Sequence, residues 1–236
     1  MRLRRVFAKD LSKEVISLDA GQENHIKNVL RLRYGAHILL FDGKGNECEA
    51  GILEGSPMRA KLFKSVISAC DLPARVAMAC ALPKGKRSEF MFAKLCELGL
   101  AEFIPIICKR SVVKMALSKR SRLERIAIES SKQCGRSTVT KVGSEVALNE
   151  LGDYEYKYIA LPNAKRALIE ELSFTRVPKD VLLIVGPEGG FTSEEEKKAI
   201  AFGAVPVKLC RTTLRVETAA ISFMSILVNY VEKISS

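Results

Sequence analysis

Two short stretches near the end of this 236-residue chain carry residue types that could bind a ligand and act on it. The first is Gly186-Pro187-Glu188-Gly189-Gly190, where proline lacks a backbone donor and the glycines can adopt positive φ. The second contains Arg215 and Glu217, a cation and a carboxylate two residues apart. A carboxylate inside a glycine loop repels a pyrophosphate, so the loop suits neutral or cationic groups such as a ribose, an adenine edge or a sulfonium. The alternative is a tight turn whose glycines only satisfy geometry.

Buried strands must present these stretches at one edge of a sheet. Val181–Val185 is an uninterrupted apolar run, which predicts a strand buried on both faces. A second short strand over Val205–Leu209 leads to the loop that holds Arg215, Glu217 and Thr218. A third, Tyr156–Leu161, also ends nearby. In an α/β sheet the ligand crevice lies at the carboxyl ends of the strands, so we expect three turns to meet around one pocket.

Helix signals flank these strands. Thr192 and Ser193, with Glu195 and Glu196 three residues later, form two overlapping capping boxes for a helix that Gly203 ends. Elsewhere the patterns predict four further helices, the second of them capped by Ser88: Asn24–Arg31, Glu89–Leu98, Lys119–Cys134 and Ala219–Ile234.

The motifs together resemble the RsmE family of ribosomal RNA methyltransferases, which belongs to the SPOUT class. The resemblance lies in G-P-E-G-G-F-T-x-x-E from Gly186 and in L-R-V-E-T-A-A from Leu214. Further matching segments follow the family's order along nearly the whole chain: His25–Arg31, Lys94–Gly99, Phe103–Ile106 and Gln133–Arg136.

The resemblance implies a fold class: a SPOUT-type α/β domain with a C-terminal trefoil knot, preceded by a small PUA-like β-barrel domain that binds RNA. Pattern reasoning alone would not suggest a knot, since chain threading is nearly absent among proteins. The sequence places the boundary at Leu72-Pro73, giving a β-rich domain over residues 1–72 and an α/β domain over residues 73–236. In the first, two apolar runs flank the glycine-rich turn D-G-K-G-N-E, which predicts a hairpin.

The resemblance also implies S-adenosylmethionine as methyl donor and N3 of a uridine, the position called 1498, in 16S rRNA of the small ribosomal subunit as acceptor. Uracil N3 is mostly protonated at neutral pH, so two cations could stabilise the charge developing on its carbonyl oxygens. Arg136 and Arg215 are the candidates, with Glu217 as base or orienting group. As plain sequence, Arg136 could instead be a helix C-terminal dipole partner and Glu217 a salt-bridge partner of Arg215. Expected cofactor-binding residues are Leu161, Pro162, Gly186, Pro187, Glu188, Gly189, Gly190, Leu209, Cys210, Thr213 and Leu214.

One departure from the family concerns the second loop. The family usually reads L-G-x-R-I-L-R where this chain has L-C-R-T-T-L-R, so Cys210 replaces a glycine and Thr212 an arginine. This favours a second hypothesis, a non-catalytic RNA-binding or ribosome-assembly factor. A dinucleotide oxidoreductase is disfavoured by Glu188 and by the absence of a G-x-G-x-x-G fingerprint.

Charge is unevenly placed along the chain. Of the net +11, residues 73–145 carry +9. Such a basic segment is typical of a face that binds phosphate backbones, the alternative being a solvated surface. Expected RNA-binding residues are Arg4, Arg5, Lys27, Arg31, Arg33, Lys84, Lys86, Arg87, Arg110, Arg120 and Arg122.

Composition bounds the cellular setting. The start has no apolar h-region, and polar residues break the apolar stretch near the end, so neither a signal peptide nor a membrane span is expected. Seven cysteines without C-x-x-C, and two histidines, indicate reduced thiols and no metal site. We therefore expect a cytoplasmic protein. The apolar last helix suits burial against a second subunit, and the resemblance implies a homodimer.

Overall fold

The computed structural model describes residues 3–67 and 70–235. The chain falls into two units: Met1–Asp71 with Ile128–Val139, and Leu72–Ala127 with Thr140–Ser236. The first unit is therefore discontinuous, because residues 128–139, which the sequence assigned to the second domain, cluster with residues 1–71.

Five strands form the sheet of the first unit: β1 (Arg4–Phe7), β2 (Val15–Ser17), β3 (His37–Phe41), β4 (Asn46–Leu53) and β5 (Arg59–Ile67). The sheet is mixed, in the order β1-β3-β4-β5-β2. β1 pairs in parallel with β3, and the other neighbours are antiparallel. Apolar side chains from alternate positions, among them Ile38, Leu40, Ile52 and Ala60, are fully or almost fully buried beneath it. The predicted hairpin is confirmed as β3 and β4.

The first helical segment of this unit begins earlier than the sequence predicted. α1 (Ala20–Asn24) is capped by Asp19, whose side chain and that of Gln22 form a capping box. A single π-helical turn, His25–Val29, follows it. The predicted helix Asn24–Arg31 is confirmed from Asn24 to Val29, but it begins four residues earlier than predicted, because the Asp19-x-x-Gln22 capping box sets its start.

Seven strands form the sheet of the second unit: β6 (Arg75–Cys80), β7 (Glu102–Ile107), β8 (Lys141–Val142), β9 (Val146–Ala147), β10 (Tyr156–Ala160), β11 (Asp180–Val185) and β12 (Val205–Val207). The sheet is parallel, in the order β12-β10-β11-β6-β7-β8, with β9 paired to β7. As predicted, Val181–Val185 is buried throughout. It lies between β10 and β6 in the interior of the sheet, and the crossover helices of a parallel sheet cover both of its faces.

Five helices complete the described elements, together with a 3-10 turn at Leu148–Glu150: α2 (Lys86–Glu97), α3 (Leu117–Cys134), α4 (Leu168–Glu171), α5 (Ser193–Ala201) and α6 (Val216–Ser235). α2 begins before Ser88, so the predicted cap was wrong: Ser88 is buried, and its hydroxyl donates to the carbonyl of Gly85 at 2.8 Å. α6 begins at Val216 and not at Ala219, which places Glu217 in its first turn and not in a loop.

The last helix is largely buried, as its composition predicted. Phe223, Met224, Leu227 and Val231 of α6 are completely buried. α6 packs on α2 and on β11, and this packing fixes the first turn of α6 beside the sheet. Among the described residues no helix is both long and apolar enough to cross a membrane.

Candidate functional site

Three neighbouring strands of the second sheet end at one cavity of about 360 Å³. β10 leads into Leu161-Pro162, β11 into the glycine loop Gly186–Gly190, and β12 into Leu209-Cys210. Because β12, β10 and β11 are adjacent and parallel, their carboxyl ends meet at the same edge. The predicted meeting of three turns is confirmed.

All eleven residues expected to bind the cofactor line this cavity. The sequence missed other lining residues, of which Asn163 directly follows Pro162 and Val216 begins α6. The remaining lining residues are Ala160, Val185, Phe191, Glu196, Thr212 and Ala219. Most of them directly adjoin residues of the three predicted turns, and this proximity in sequence could have identified them.

The glycine loop combines close approaches to neighbouring side chains with a positive φ at Gly190. A Cβ on Gly186 would lie 2.8 Å from the ring of Phe191, and one on Gly189 would lie 3.2 Å from Arg110. Gly190 has φ +70°, in the left-handed region. Arg110 holds the loop from outside, donating from Nη1 to the carbonyl of Gly189 at 2.7 Å. The loop is therefore a fixed wall of the cavity.

The start of α5 anchors the far end of the same loop. Thr192 caps the helix and forms the predicted capping box with Glu195. The Glu195 carboxylate accepts hydrogen bonds from the backbone N–H groups of Thr192 at 2.8 Å and Lys109 at 2.7 Å. Burial alone would raise the pKa of Glu195, but these hydrogen bonds outweigh it and lower that pKa.

The charge of the lining indicates what the cavity can hold. Its charged side chains, within the described part of the chain, are the carboxylates Glu188 and Glu196, and it contains neither Lys nor Arg. Such a wall opposes a polyphosphate and favours a ligand with positive charge. The volume lies in the range of small-molecule sites. A sulfonium nucleoside such as S-adenosylmethionine fits both its size and its charge.

The two residues that depart from the family both line the cavity. The Cys210 thiol lies 3.2 Å from the carbonyl oxygen of Thr212 and 3.4 Å from its hydroxyl. Cys210 is exposed. The thiol thus turns toward its own loop, and the cavity remains open beside it.

The two candidate groups after this loop have different environments. Arg215 is exposed, and its carbonyl accepts the Ala219 amide at 2.8 Å at the start of α6. Glu217 is 9% exposed, with Oε1 3.6 Å from Nη1 of Arg87. Its Oε2 is buried and has no hydrogen-bond partner among the described residues. Glu217 therefore forms its ion pair with Arg87 and not with Arg215. The sequence did not predict Arg87 as its partner.

Arg136 lies in the first unit, in the segment after α3. It is 3% exposed. Its Nε donates to Asp71 Oδ1 at 3.2 Å and its Nη2 to the hydroxyl of Thr138 at 2.8 Å, while its carbonyl accepts from Arg5 at 2.7 Å. These contacts tie the segment after α3 to the first unit.

Asp71 is the acceptor at the centre of this cluster. It takes hydrogen bonds from the backbone and hydroxyl groups of Ser137 and Thr138, as well as from Arg136. Burial opposes its ionisation, but the hydrogen bonds and the guanidinium prevail, so the pKa of Asp71 lies below its usual value.

The expected RNA-binding residues divide between the units. In the first, Arg4, Lys27, Arg31 and Arg33 are exposed, whereas the Arg5 side chain is 7% exposed and pairs with Glu47. Arg5 is thus engaged inside the protein, where a phosphate has little access.

In the second unit, Lys84 and Lys86 are exposed. Arg110 is also exposed, but its guanidinium contacts the glycine loop. Arg120 donates to the carbonyl of Val142 at 3.0 Å, and Arg122 pairs with Glu89 at 2.6 Å. Within the described residues no group of three or more His, Cys, Asp or Glu side chains is placed to hold a metal ion.

Comparison with known proteins assigns the class. A model of the RNA methyltransferase domain matches residues 70–228, and a model of the RNA methyltransferase PUA domain matches residues 18–62. Together with the parallel sheet and its strand-end cavity, these matches define an RNA methyltransferase of the SPOUT type with a PUA-like N-terminal domain. The chain belongs to the RsmE family of ribosomal RNA small subunit methyltransferases.

Relatives resemble the chain over most of its length. Ribosomal RNA small subunit methyltransferase E of Bacillus subtilis is 30% identical over 89% of this chain and 88% of its own. The protein of that name from Synechocystis is 29% identical over 93% of this chain and 75% of its own.

Solved structures show the same fold. The Neisseria gonorrhoeae ribosomal RNA small subunit methyltransferase E, bound to S-adenosylmethionine, superposes with a TM-score of 0.87 at 27% identity, covering 97% of this chain and 98% of its own. A Legionella pneumophila protein solved with the same cofactor gives 0.85 at 28% identity, covering 96% and 97%.

Proposed function

We propose that this protein transfers the methyl group of S-adenosylmethionine to N3 of a specific uridine, of the position 1498 type, in 16S rRNA of the small ribosomal subunit. The observation that carries the proposal is the cavity at the strand ends. Its walls are glycines, apolar residues, uncharged polar residues and two carboxylates, and two similar proteins were solved with that cofactor bound.

S-adenosylmethionine, when bound, supplies an electrophilic methyl group on a sulfonium. In this chain Leu161-Pro162, Gly186–Gly190 and the loop Leu209–Leu214 would hold it. The glycine loop offers backbone groups at close range, and Glu188 offers a carboxylate for a cationic part of the ligand. Exclusion of phosphate by the same carboxylate makes the site selective for this class of nucleoside.

The acceptor needs help from side chains. Transfer breaks the S–CH₃ bond and forms an N3–CH₃ bond, so the N3 proton must leave and negative charge develops on the uracil oxygens. We assign Arg215, which is exposed near the cavity residue Leu214, to stabilising that charge. Glu217 is the candidate acceptor of the proton, because its Oε2 is buried without a partner among the described residues. The part expected of Arg136 as a second cation stays a prediction; its engagement by Asp71 and Thr138 favours an anchoring role.

Binding of the rRNA is assigned to the exposed cations. The excess charge of residues 73–145 and the exposed Lys84, Lys86, Arg4, Lys27, Arg31 and Arg33 support it. A homodimer and the trefoil knot remain parts of this proposal, the former supported by half-buried Ile221 and Ile226 on α6. A substrate of this kind puts the protein in the cytoplasm.

The test uses purified protein and small subunits, with their 16S rRNA, from cells lacking the gene. Calorimetry is expected to show one S-adenosylmethionine site, and mass spectrometry of digested rRNA one new methyluridine with the methyl on N3. Absence of cofactor binding would remove the enzyme and leave the assembly factor that Cys210 and Thr212 suggested. The open cavity beside both residues and the names of the relatives favour the enzyme.

A further inference from the structure

Arg87 contacts two walls of the cofactor cavity at once. Its Nη2 lies 3.7 Å from Oε1 of Glu188 in the glycine loop, and its Nη1 lies 3.6 Å from Oε1 of Glu217 in the first turn of α6. From the sequence, Arg87 was expected to bind RNA. Both of its partners are instead carboxylates beside the cavity, since Glu188 lines it and Glu217 follows the lining residue Val216.

Without these two carboxylates, the position of Arg87 in the helix would be electrostatically unfavourable. It lies in the first turn of α2, where the positive end of the helix dipole disfavours a cation. Two carboxylates within ion-pair distance offset that repulsion. The placement therefore depends on Glu188 and Glu217 and is not that of a freely solvated surface arginine.

The arrangement leaves one acceptor atom unused. Glu217 is 9% exposed, its Oε1 faces Arg87, and its buried Oε2 has no hydrogen-bond partner among the described residues. An unsatisfied buried carboxylate oxygen is costly, so a donor supplied by a ligand would relieve it. Because Arg87 holds Oε1, the orientation of the Glu217 carboxylate, and with it the direction of Oε2, is fixed.

We propose that Arg87 is a positioning residue of the methyl-transfer site: it joins the glycine loop to α6 and orients Glu217 so that Oε2 accepts an N–H group of a bound ligand. The inference rests on the proposed function. An N–H donor of this kind could belong to the ammonium of S-adenosylmethionine or to N3 of the acceptor uracil. Arg87 itself touches neither.

The test compares Arg87→Ala, Arg87→Lys and Glu217→Gln with the wild type. Calorimetry gives the Kd for S-adenosylmethionine without RNA, and methylation of small subunits gives kcat and KM. Arg176→Ala is the matched control, since it removes an arginine that pairs with a carboxylate, Glu155 at 2.7 Å, away from the cavity but in the same unit. The wild-type Kd and kcat test the proposed function, whereas the differences between the variants and the wild type test the role of Arg87.

If the donor belongs to the cofactor, Arg87→Ala and Glu217→Gln each raise the Kd about tenfold. If it belongs to the uracil, the Kd stays unchanged and kcat falls by about tenfold or more. In both cases Arg87→Lys retains most function, and the double variant Arg87→Ala/Glu217→Gln loses no more than either single one, because the two residues act as a unit.

Two outcomes would overturn the proposal. One is an Arg87→Ala protein that binds and turns over like Arg176→Ala. The other is full additivity with Glu217→Gln. Thermal unfolding is recorded for every variant, and a loss of activity seen only in variants that are unfolded at the assay temperature also counts against it.

Discussion

At the scale of single residues, the charge of the cavity lining determines which class of ligand the site can bind. Glu188 was enough to argue from sequence against a polyphosphate, and the lining holds carboxylates without Lys or Arg among the described residues. Sequence reasoning found the lining because strand ends of a parallel sheet converge. It could not find the Arg87–Glu217 pair, since α2 and α6 meet only through tertiary packing.

Gly189 offers a test of the fixed wall. A Cβ there would lie 3.2 Å from Cβ and Cδ of Arg110, so Gly189→Ala should weaken S-adenosylmethionine binding modestly and Gly189→Val, whose branches cannot be accommodated, should abolish it. Calorimetry gives the Kd for both. Gly152→Ala is the control, because the nearest atom to its Cβ would be 3.9 Å away. Unchanged binding by the valine variant would exclude this loop from the cofactor site.

Cys210 offers a second test, because its exposed thiol lines the cavity. Alkylation by N-ethylmaleimide, followed at this residue by mass spectrometry, should slow by roughly 100-fold when S-adenosylmethionine is present at 100 times its Kd, since about 1% of the site is then free. Prior alkylation should block cofactor binding. Cys210→Ser should bind cofactor and resist the block. Labelling at equal rates with and without cofactor would place the ligand elsewhere.

The buried cysteines Cys80 and Cys108 should react differently from the exposed Cys210. Burial raises the pKa of the Cys108 thiol to about 12 and raises that of Cys80 further. Thiols react as thiolates, so neither should be alkylated in the folded protein.

At the scale of elements, capping sequences predicted where some helices begin and failed for others. Thr192 and Glu195 gave α5 correctly. Ser88 misled because a hydroxyl near a helix start can be buried and bonded within the first turn, as it is to Gly85. The start of α6 was misplaced because Val216 and Glu217 carry no cap signal, and that error hid the helical setting of Glu217.

The capping box at α5 should be measurable as stability. Thr192→Ala removes the side-chain acceptor for the Glu195 amide and should lower the free energy of unfolding by about 1 kcal/mol. Chemical denaturation followed by circular dichroism gives the value. Ser193→Ala, at the alternative cap that the sequence also allowed, should change it little. A reversal of the two effects would show that the helix starts one residue later in solution.

At the scale of the whole molecule, the sequence predicted both fold classes but not the discontinuity of the first unit. The sequence predicted a boundary at Leu72-Pro73, but it did not predict the return of residues 128–139 to the first unit. That return depends on contacts between residues far apart in sequence, such as Asp71 with Ser137 and the pairing of Gly43 with Thr138. No local pattern encodes them.

Asp71 gives the whole molecule an acid-dependent stability. Its folded pKa lies below the unfolded value of about 3.9, so its contribution is complete above that pH and is lost as pH falls through the folded pKa. Asp71→Asn and Arg136→Ala should each lower the free energy of unfolding by about 1 to 3 kcal/mol at pH 7. For Asp71→Asn the difference from wild type should shrink below about pH 4.

Urea denaturation between pH 3 and pH 7 measures this dependence. Asp153→Asn serves as the control, since Asp153 pairs with Lys157 at the surface and its loss should matter little at any pH. The same Arg136→Ala protein decides between two roles for this arginine. Loss of stability with kcat retained at low temperature fits an anchor that ties residues 135–139 to the first unit, whereas full stability with lost kcat would restore Arg136 as the second cation of the methyl-transfer site.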